Sequence, residues 1–502
     1  MISKIHSIVP YGFEGKLVEV EGDINRGLPA FNIVGMANKT INEAKERVRS
    51  AIVNSDFSFP DKKVTINLAP AELPKDGAYL DLPIALSILI LSGQLIENDV
   101  KDKAFVGELS LNGEVKPVRG VINIIEAAKN ANYKEIYVPI NNLSQASLVS
   151  GITVFGVKTL QELFLALKNQ LVLDSPNYAS IGLRTDQKGL GELILDHICG
   201  QSLAKRAIEV AIAGHHNLLI SGPPGAGKTL LAKVAANLLP DLAPKEMIDI
   251  TKIYSIAGLS TDEIITKRPF RAPHHSASAV SILGGTMGPG EISLAHKGVL
   301  FLDELPEFPR SVLEALRQPL EDKHITISRA NRKTVYPADF MLIATMNPCP
   351  CGYLGDPTHE CKCTESQIQS YRKKLSGPLF DRIDMNIEVE RVSNEELRVP
   401  ITTKNDEHNV VKNNITGAIS RQESRNGRGG IFNSSLSSFD VSQKLKLEPA
   451  AEKLLAKASE SLNLSARSYF KTIKVAQTIA DLDSSDIIKQ NHLAEALTYR
   501  RR

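Results

Sequence analysis

In the first third of the chain, apolar residues come in short runs at 17–20, 64–68 and 136–138, separated by stretches such as 41–53 and 121–130 where they recur at helical spacing. Such alternation predicts a compact α/β domain over residues 1–168. The pattern then lapses over 169–190, where Ser175, Pro176, Asn177 and Gly182 predict a linker. Strand-like runs return at 217–220, 299–302 and 340–345 with helical stretches between them, as a parallel sheet with crossover helices requires, so 191–393 is expected to be a second domain. Residues 394–445 are polar and weakly periodic, and Asn426–Gly430 (NGRGG) is expected to be loop. In 446–502, Leu454, Ala458 and Leu462, then Tyr469, Ile473, Ala476, Ile479 and Ala480, mark a small helical subdomain. No repeat of 20 to 50 residues interrupts this order.

With 502 residues the chain exceeds what one core holds, in keeping with two or three domains. Lys and Arg total 59 against 57 for Asp and Glu, so any nucleic-acid surface must be local. No apolar run approaches the roughly 20 residues of a membrane span, and residues 1–10 lack the pattern of a secretory signal, so the expectation is a cytoplasmic protein with no membrane partner. Four of the five cysteines crowd into 349–363, unlike a disulfide framework.

Gly222, Pro223, Pro224, Gly225, Ala226, Gly227, Lys228 and Thr229 fit G-x-x-x-x-G-K-[ST], after a strand-like run and before a helix-forming one. The glycines let backbone N–H groups face phosphate oxygens. Lys228 supplies a charge for the β- and γ-phosphates, and Thr229 a hydroxyl for Mg²⁺. Farther on, Gly298-Val-Leu-Phe-Leu-Asp-Glu304 sets two carboxylates at the end of a buried strand, where ligands of open parallel sheets bind. Asp303 is suited to hold Mg²⁺ and Glu304 to polarise the attacking water. Asn347 closes the run 340–347, either to orient water near the γ-phosphate or as a turn residue. ATP and Mg²⁺ are the expected ligands.

In this order the elements resemble the AAA+ ATPases. Phe270-Arg-Ala-Pro-His-His-Ser276, Gly288-Pro-Gly-Glu-Ile-Ser-Leu-Ala-His296, Leu316-Arg-Gln-Pro-Leu-Glu-Asp322 and Ser376-Gly-Pro-Leu-Phe-Asp-Arg-Ile-Asp384 resemble the magnesium-chelatase-like branch, and the whole chain is similar to the YifB/ComM family. That resemblance implies a ring-forming ATPase, a homo-hexamer acting on single-stranded, forked or branched DNA as a helicase or branch-migration motor in recombination or natural transformation. It implies an AAA+ P-loop core with a parallel sheet and a C-terminal helical lid. It also implies that Arg382 is an arginine finger reaching a neighbouring subunit's site and that Arg467, following Ser465 as helix N-cap, is the second sensor. Both roles require a fixed guanidinium near phosphate. On residue type alone, a surface ion pair is the preferred reading of either arginine.

Two insertions of this branch face a ring channel. The glycine-rich stretch Ser281–Gly290 resembles one; His324–Val335 resembles the other, with Arg329, Arg332 and Lys333 near its tip either as DNA contacts that would bind without reading sequence or as an ordinary solvated hairpin tip. Arg421, Arg425 and Arg428 are a second candidate. Aromatic residues at 5% and the lack of Trp argue against base-stacking platforms. Cys349, Cys351, Cys361 and Cys363 form two C-x-C pairs nine residues apart, directly after Asn347. They can close a structural Zn²⁺ site or remain free or redox-active thiols.

Within the first domain, Pro74–Pro83 and Phe105–Gly120 resemble the proteolytic domain of Lon. Where that family has its nucleophilic serine and its lysine base, this chain has Tyr79 and Ile122, so a Ser-Lys dyad is lacking and no peptidase is expected. A chelatase motor subunit and a protein-remodelling ATPase are the alternatives to a DNA motor; against the second of these stands the lack of an aromatic pore loop.

Overall fold

The computed structural model describes residues 2–35, 38–73, 75, 78–176, 193–285, 288–329, 332–356, 359–392, 406–427 and 430–500. Its first unit is built on strands β1 (Ile2–Tyr11), β2 (Glu14–Asn25), β3 (Ala30–Val34), β4 (Lys63–Ala69), β5 (Lys103–Phe105), β6 (Glu135–Pro139) and β7 (Thr153–Val157), in the spatial order β3-β4-β2-β1-β5-β6-β7. β1 and β2 form a long antiparallel hairpin and β2 pairs antiparallel with β4; the remaining neighbours are parallel. Period-two burial of Val64, Ile66 and Leu68 on β4 shows why these residues make strands. Among helices α1 (Asn38–Asn54), α2 (Asp81–Leu91), α3 (Val121–Asn130) and α4 (Leu160–Leu167), α2 is wholly buried and, apart from Asp81 and Ser87, apolar. The expected α/β domain is present. It extends into the expected linker, for Leu173 is buried and the Asp174 carbonyl accepts from the Gly156 N–H at 2.8 Å; residues 177–190 lie outside the described residues.

The second unit carries helices α5 (Ser202–Gly214), α6 (Lys228–Leu238), α7 (Pro244–Ala257) and α8 (Arg317–Asp322). Its five-stranded sheet takes β8 (Leu218–Ser221), β9 (Phe270–Arg271), β12 (Val299–Leu302), β15 (Met341–Met346) and β16 (Met385–Glu388) in the order β9-β12-β15-β8-β16, with every pair parallel. β12 and β15 are buried along their whole length, as strands covered on both faces must be. Two hairpins leave this core: β10 (Gly284–Gly285) with β11 (Gly288–Pro289), and β13 (His324–Arg329) with β14 (Arg332–Pro337). Among the described residues, no helix is long and apolar enough to cross a membrane.

Helices α9 (Glu407–Asn426), α10 (Pro449–Ser461), α11 (Ala466–Leu482) and α12 (Gln490–Thr498) complete the chain. A 20-residue α9 runs through the segment read as a polar, weakly periodic connection, where the pattern predicts no helix. Its buried side chains are only Ile415, Ala418 and Gln422, too few to write a periodic pattern; the Gln422 amide donates to the Ala213 carbonyl at 2.8 Å and accepts from the Asn433 N–H at 2.8 Å. Arg425, a candidate DNA contact, is corrected too. It forks onto buried Asp481 with two bonds of 2.7 Å. Arg421 lies 3.6 Å from Asp486, and Arg428 lies outside the described residues.

The first unit docks on α7. Ser255 Oγ accepts from the Gly120 N–H at 3.0 Å and donates to Gln145 Oε1 at 2.9 Å, while Lys252 pairs with Glu126 at 2.5 Å and lies over the Phe13 ring. At the β1–β2 turn, Gly12 has φ +61°, and a Cβ there would stand 2.5 Å from Thr334 Cγ2 on β14. Only glycine satisfies both conditions. The first unit therefore braces the hairpin next to Lys333.

Candidate nucleotide-hydrolysing site

β8 delivers the chain to Gly222 at the carboxyl edge of the sheet, where the Gly222 N–H donates to the Met346 carbonyl at 3.2 Å. Gly225 and Gly227 take φ values of +81° and +79°, and open space surrounds the places where their Cβ atoms would be. That leaves room for phosphate against the first turn of α6, whose free N–H groups and positive dipole end favour an anion. Lys228 Nζ spans the loop, donating to the Gly222 carbonyl at 2.6 Å, the Pro223 carbonyl at 2.9 Å and Asn347 Oδ1 at 3.1 Å. Burial holds its ammonium below the ordinary lysine value, against the pull of Asp303 and Glu304.

Thr229 Oγ1 donates to Asp303 Oδ2 at 3.2 Å, which brings together the hydroxyl and carboxylate expected to hold Mg²⁺. Thr345, fully buried on β15, donates its hydroxyl to the other Asp303 oxygen and accepts from the Glu304 N–H at 3.0 Å. Sequence reasoning missed this residue; its signal was the period of two that puts it on the same side of the strand as Asn347. Glu304 adopts the left-handed conformation at φ 52°, and its carboxylate lies 3.8 Å from His275 Nδ1, another unpredicted neighbour.

Directly beyond Asn347, the cysteine loop folds over the phosphate loop, and a Cβ on Gly352 would stand 2.8 Å from Pro224 Cδ. The sulfurs of Cys349, Cys351, Cys361 and Cys363 all lie within 4.8 Å of one another, three of the separations being 3.4, 3.7 and 3.6 Å. A tetrahedral Zn²⁺ with bonds near 2.3 Å places its sulfurs about 3.8 Å apart. The donor set therefore fits. A backbone N–H from Tyr353 pulls the Cys351 thiol down to about 6. Cys361 is drawn down by the Cys363 N–H, but desolvation and the neighbouring sulfurs prevail and push it up to about 12.

Arg382 stands apart from this cluster. Its Nε donates to the Arg317 carbonyl at 3.1 Å, Nη1 to the Pro378 carbonyl at 2.6 Å and Nη2 to Glu321 Oε2 at 2.6 Å. The loop bearing it is anchored by Asp384, which accepts from the Asn217 N–H at 2.9 Å and pairs with Lys471 of α11 at 2.8 Å. Burial raises the Asp384 pKa, but Lys471 and His216 outweigh it and the net shift is downward. Ser465 caps α11, its Oγ accepting from the Ser468 N–H at 3.2 Å, and Arg467 in the first turn pairs with the second oxygen of Glu321. Among the described residues, neither arginine has a hydrogen bond or ion pair with Gly222–Thr229. Lys333 is exposed on β14, beside Arg332 in the register Arg329↔Arg332; the side chains of Arg329 and Arg332 lie outside the described residues.

Three family models match the chain in the same order: "Subunit ChlI of Mg-chelatase" over residues 20–142, "Magnesium chelatase, subunit ChlI" over 194–397 and "Magnesium chelatase, subunit ChlI C-terminal" over 405–500. Competence protein ComM of Haemophilus influenzae is 42% identical, covering 99% of this chain and 97% of its own length. The uncharacterized protein YifB of Escherichia coli is 41% identical over the same shares. The chain belongs to the YifB/ComM family of magnesium-chelatase-like AAA+ proteins. Lon protease 2 of Bacillus subtilis is similar over 178 residues at 32% identity, covering 32% of this chain and 31% of that protein. At the sites where the Lon resemblance calls for a serine and a lysine, Tyr79 is half-buried and Ile122 is buried in α3. As a YifB/ComM member the chain is an AAA+ ATPase with a mixed α/β fold and a C-terminal helical region, and its family implies ATP and Mg²⁺ as ligands.

Thr345→Val keeps the shape of β15 and removes the hydroxyl between Asp303 and Glu304. A hydrogen bond to a charged group contributes about 1.5–3 kcal/mol, so the ATPase kcat is expected to fall about 10-fold or more. Steady-state rates across ATP and Mg²⁺ concentrations, with thermal melting as a fold control, check this; an unchanged kcat would contradict the bridging role.

Proposed function

We propose that this protein is a Mg²⁺-ATP-driven ring motor, a homo-hexamer that moves on DNA as a branch-migration helicase. The observation that carries the reading is the division of the site: Lys228, Thr229, Asp303 and Asn347 meet at one sheet edge, whereas Arg382 and Arg467 meet on Glu321. A second copy, presenting its two arginines to the first copy's phosphates, completes the set. In this reading the phosphate loop and Lys228 bind the triphosphate. Thr229 and Asp303 hold Mg²⁺, Glu304 takes a proton from the attacking water, and Asn347 orients that water. The neighbour's Arg382 and Arg467 stabilise charge on the γ-phosphoryl oxygens as the bond to the leaving group lengthens.

DNA as the substrate is supported by the two hairpins that leave the core, by exposed Lys333 beside Arg329 and Arg332 in sequence, and by full-length similarity to a competence protein. The first domain does not by itself separate a DNA motor from a chelatase motor, since its matching model is described as a chelatase subunit. The hairpins and their cations favour DNA. In the ring the first domain, docked on α7 and against Thr334, serves as a brace for β13 and β14 and not as a peptidase. The sulfur spacing supports a structural Zn²⁺ on Cys349, Cys351, Cys361 and Cys363, which would stiffen the segment that follows Asn347.

ATP turnover measured with duplex, single-stranded, forked and four-way DNA is expected to rise with at least one branched or single-stranded form, and Glu304→Gln to abolish turnover. Indifference to every DNA would sink the DNA reading. With Arg329→Ala/Arg332→Ala/Lys333→Ala, stimulation should be lost and the log–log salt slope of duplex binding should flatten by up to about 3. Stimulation at the original level would remove these cations from the DNA contact.

Protein purified under reducing conditions should carry about one zinc per chain by elemental analysis. The double variant Cys351→Ser/Cys361→Ser should carry none. Four freely titrating thiols and no bound metal after zinc supplementation would contradict the site.

A further inference from the structure

Glu321 lies in the last turn of α8, in the stretch Leu316–Asp322, and its two oxygens are divided between two arginines from different parts of the chain. Oε2 takes Arg382 Nη2 at 2.6 Å, and Oε1 takes Arg467 Nη1. Arg382 is held on three sides, with carbonyls of Arg317 and Pro378 on its other nitrogens and a side chain only 14% exposed. Arg467 is 39% exposed, and among the described residues Glu321 is its one ion-pair partner. Burial pushes the Glu321 carboxyl up, but the two guanidiniums overcome this and its net shift is downward, so it stays ionised.

Two guanidiniums share one carboxylate. The guanidiniums repel each other, and the carboxylate between them sets their separation and orientation. Partly exposed ion pairs contribute only about 0–1 kcal/mol to stability, so fold stability gives little reason for the arrangement. Its geometry does more. Glu321 joins the core, through α8 and the Arg382 loop, to the lid helix α11.

We propose that Glu321 is a positioning residue for the hydrolysis reaction: it sets Arg382 and Arg467 as one unit on the face that meets the γ-phosphate bound by a second copy of this chain. This rests on the reading above that both arginines act on a neighbour's nucleotide. Glu321 acts through the two guanidiniums, and only on the adjacent copy's site. It also makes the lid and the core present their cations together, so a lid displaced from α8 withdraws Arg467 from the pair.

Mixed rings test this. A chain with Glu304→Gln cannot hydrolyse ATP but offers both arginines; a chain with Arg382→Ala lacks that guanidinium but keeps its own catalytic carboxylate. Mixing the two should restore ATP turnover well above that of either alone, and no restoration would overturn the reading that Arg382 acts on the neighbour's site. Glu321→Ala is then added to one chain or the other. On the Glu304→Gln chain it should cut the restored rate by about tenfold, an apparent loss of about 1.4 kcal/mol of transition-state stabilisation. On the Arg382→Ala chain it should leave the restored rate unchanged. With restoration established, an equal loss in both placements, or no loss in either, overturns the positioning role while the neighbour-acting arginine stands. Thermal melting and sedimentation of each mixture establish that every chain is folded and assembled.

Discussion

Three buried strands run parallel with their carboxyl ends at one edge, and everything chemical in this protein depends on that register. Ser221 lies opposite Met346, and Leu302 opposite Ala344, so the residues that follow β8 and β12 emerge beside the end of β15. An open parallel sheet binds ligands at this edge because the loops there face away from the crossover helices. Shifting β15 by one residue would turn Thr345 and Asn347 to the other face and detach them from Asp303 and Lys228. The hydrophobic core that fixes the register thus also fixes the geometry of the phosphate site.

Electrostatics then divides the molecule into two faces. One gathers a buried ammonium, two carboxylates and an amide, with Lys228 held below its ordinary pKa by burial. The other gathers Arg382 and Arg467 around one carboxylate. Asp384 and Lys471 tie the loop of Arg382 to the lid through a largely buried ion pair. Breaking a buried pair is costly, so core and lid hold the second face as one surface.

The sequence was most legible where chemistry demands contiguous residues. The phosphate loop, the two acids after β12 and the C-x-C pairs are local patterns; the structure sets Thr229 against Asp303, Lys228 against Asn347 and the four sulfurs within 4.8 Å of one another. Contacts made by single residues across long separations left no such mark. Thr345 looks like any strand residue until Asp303 is beside it, and Glu321 is one acid among many until two arginines close on it. The helix Glu407–Asn426 escaped notice because its burial rests on Gln422 as much as on Ile415 and Ala418, so hydrophobic periodicity had little to report. Arg425 read as a candidate DNA contact because its partner Asp481 lies 56 residues away and is itself buried.

If the site belongs to two copies at once, catalysis is a property of the assembly and not of the chain. The direct measurement is ATP turnover per chain across a dilution series, with the state of assembly recorded at each concentration by sedimentation. Turnover per chain should rise along the same curve as the assembled fraction and vanish where single chains predominate. A turnover per chain that stays constant down to isolated monomers would contradict the account.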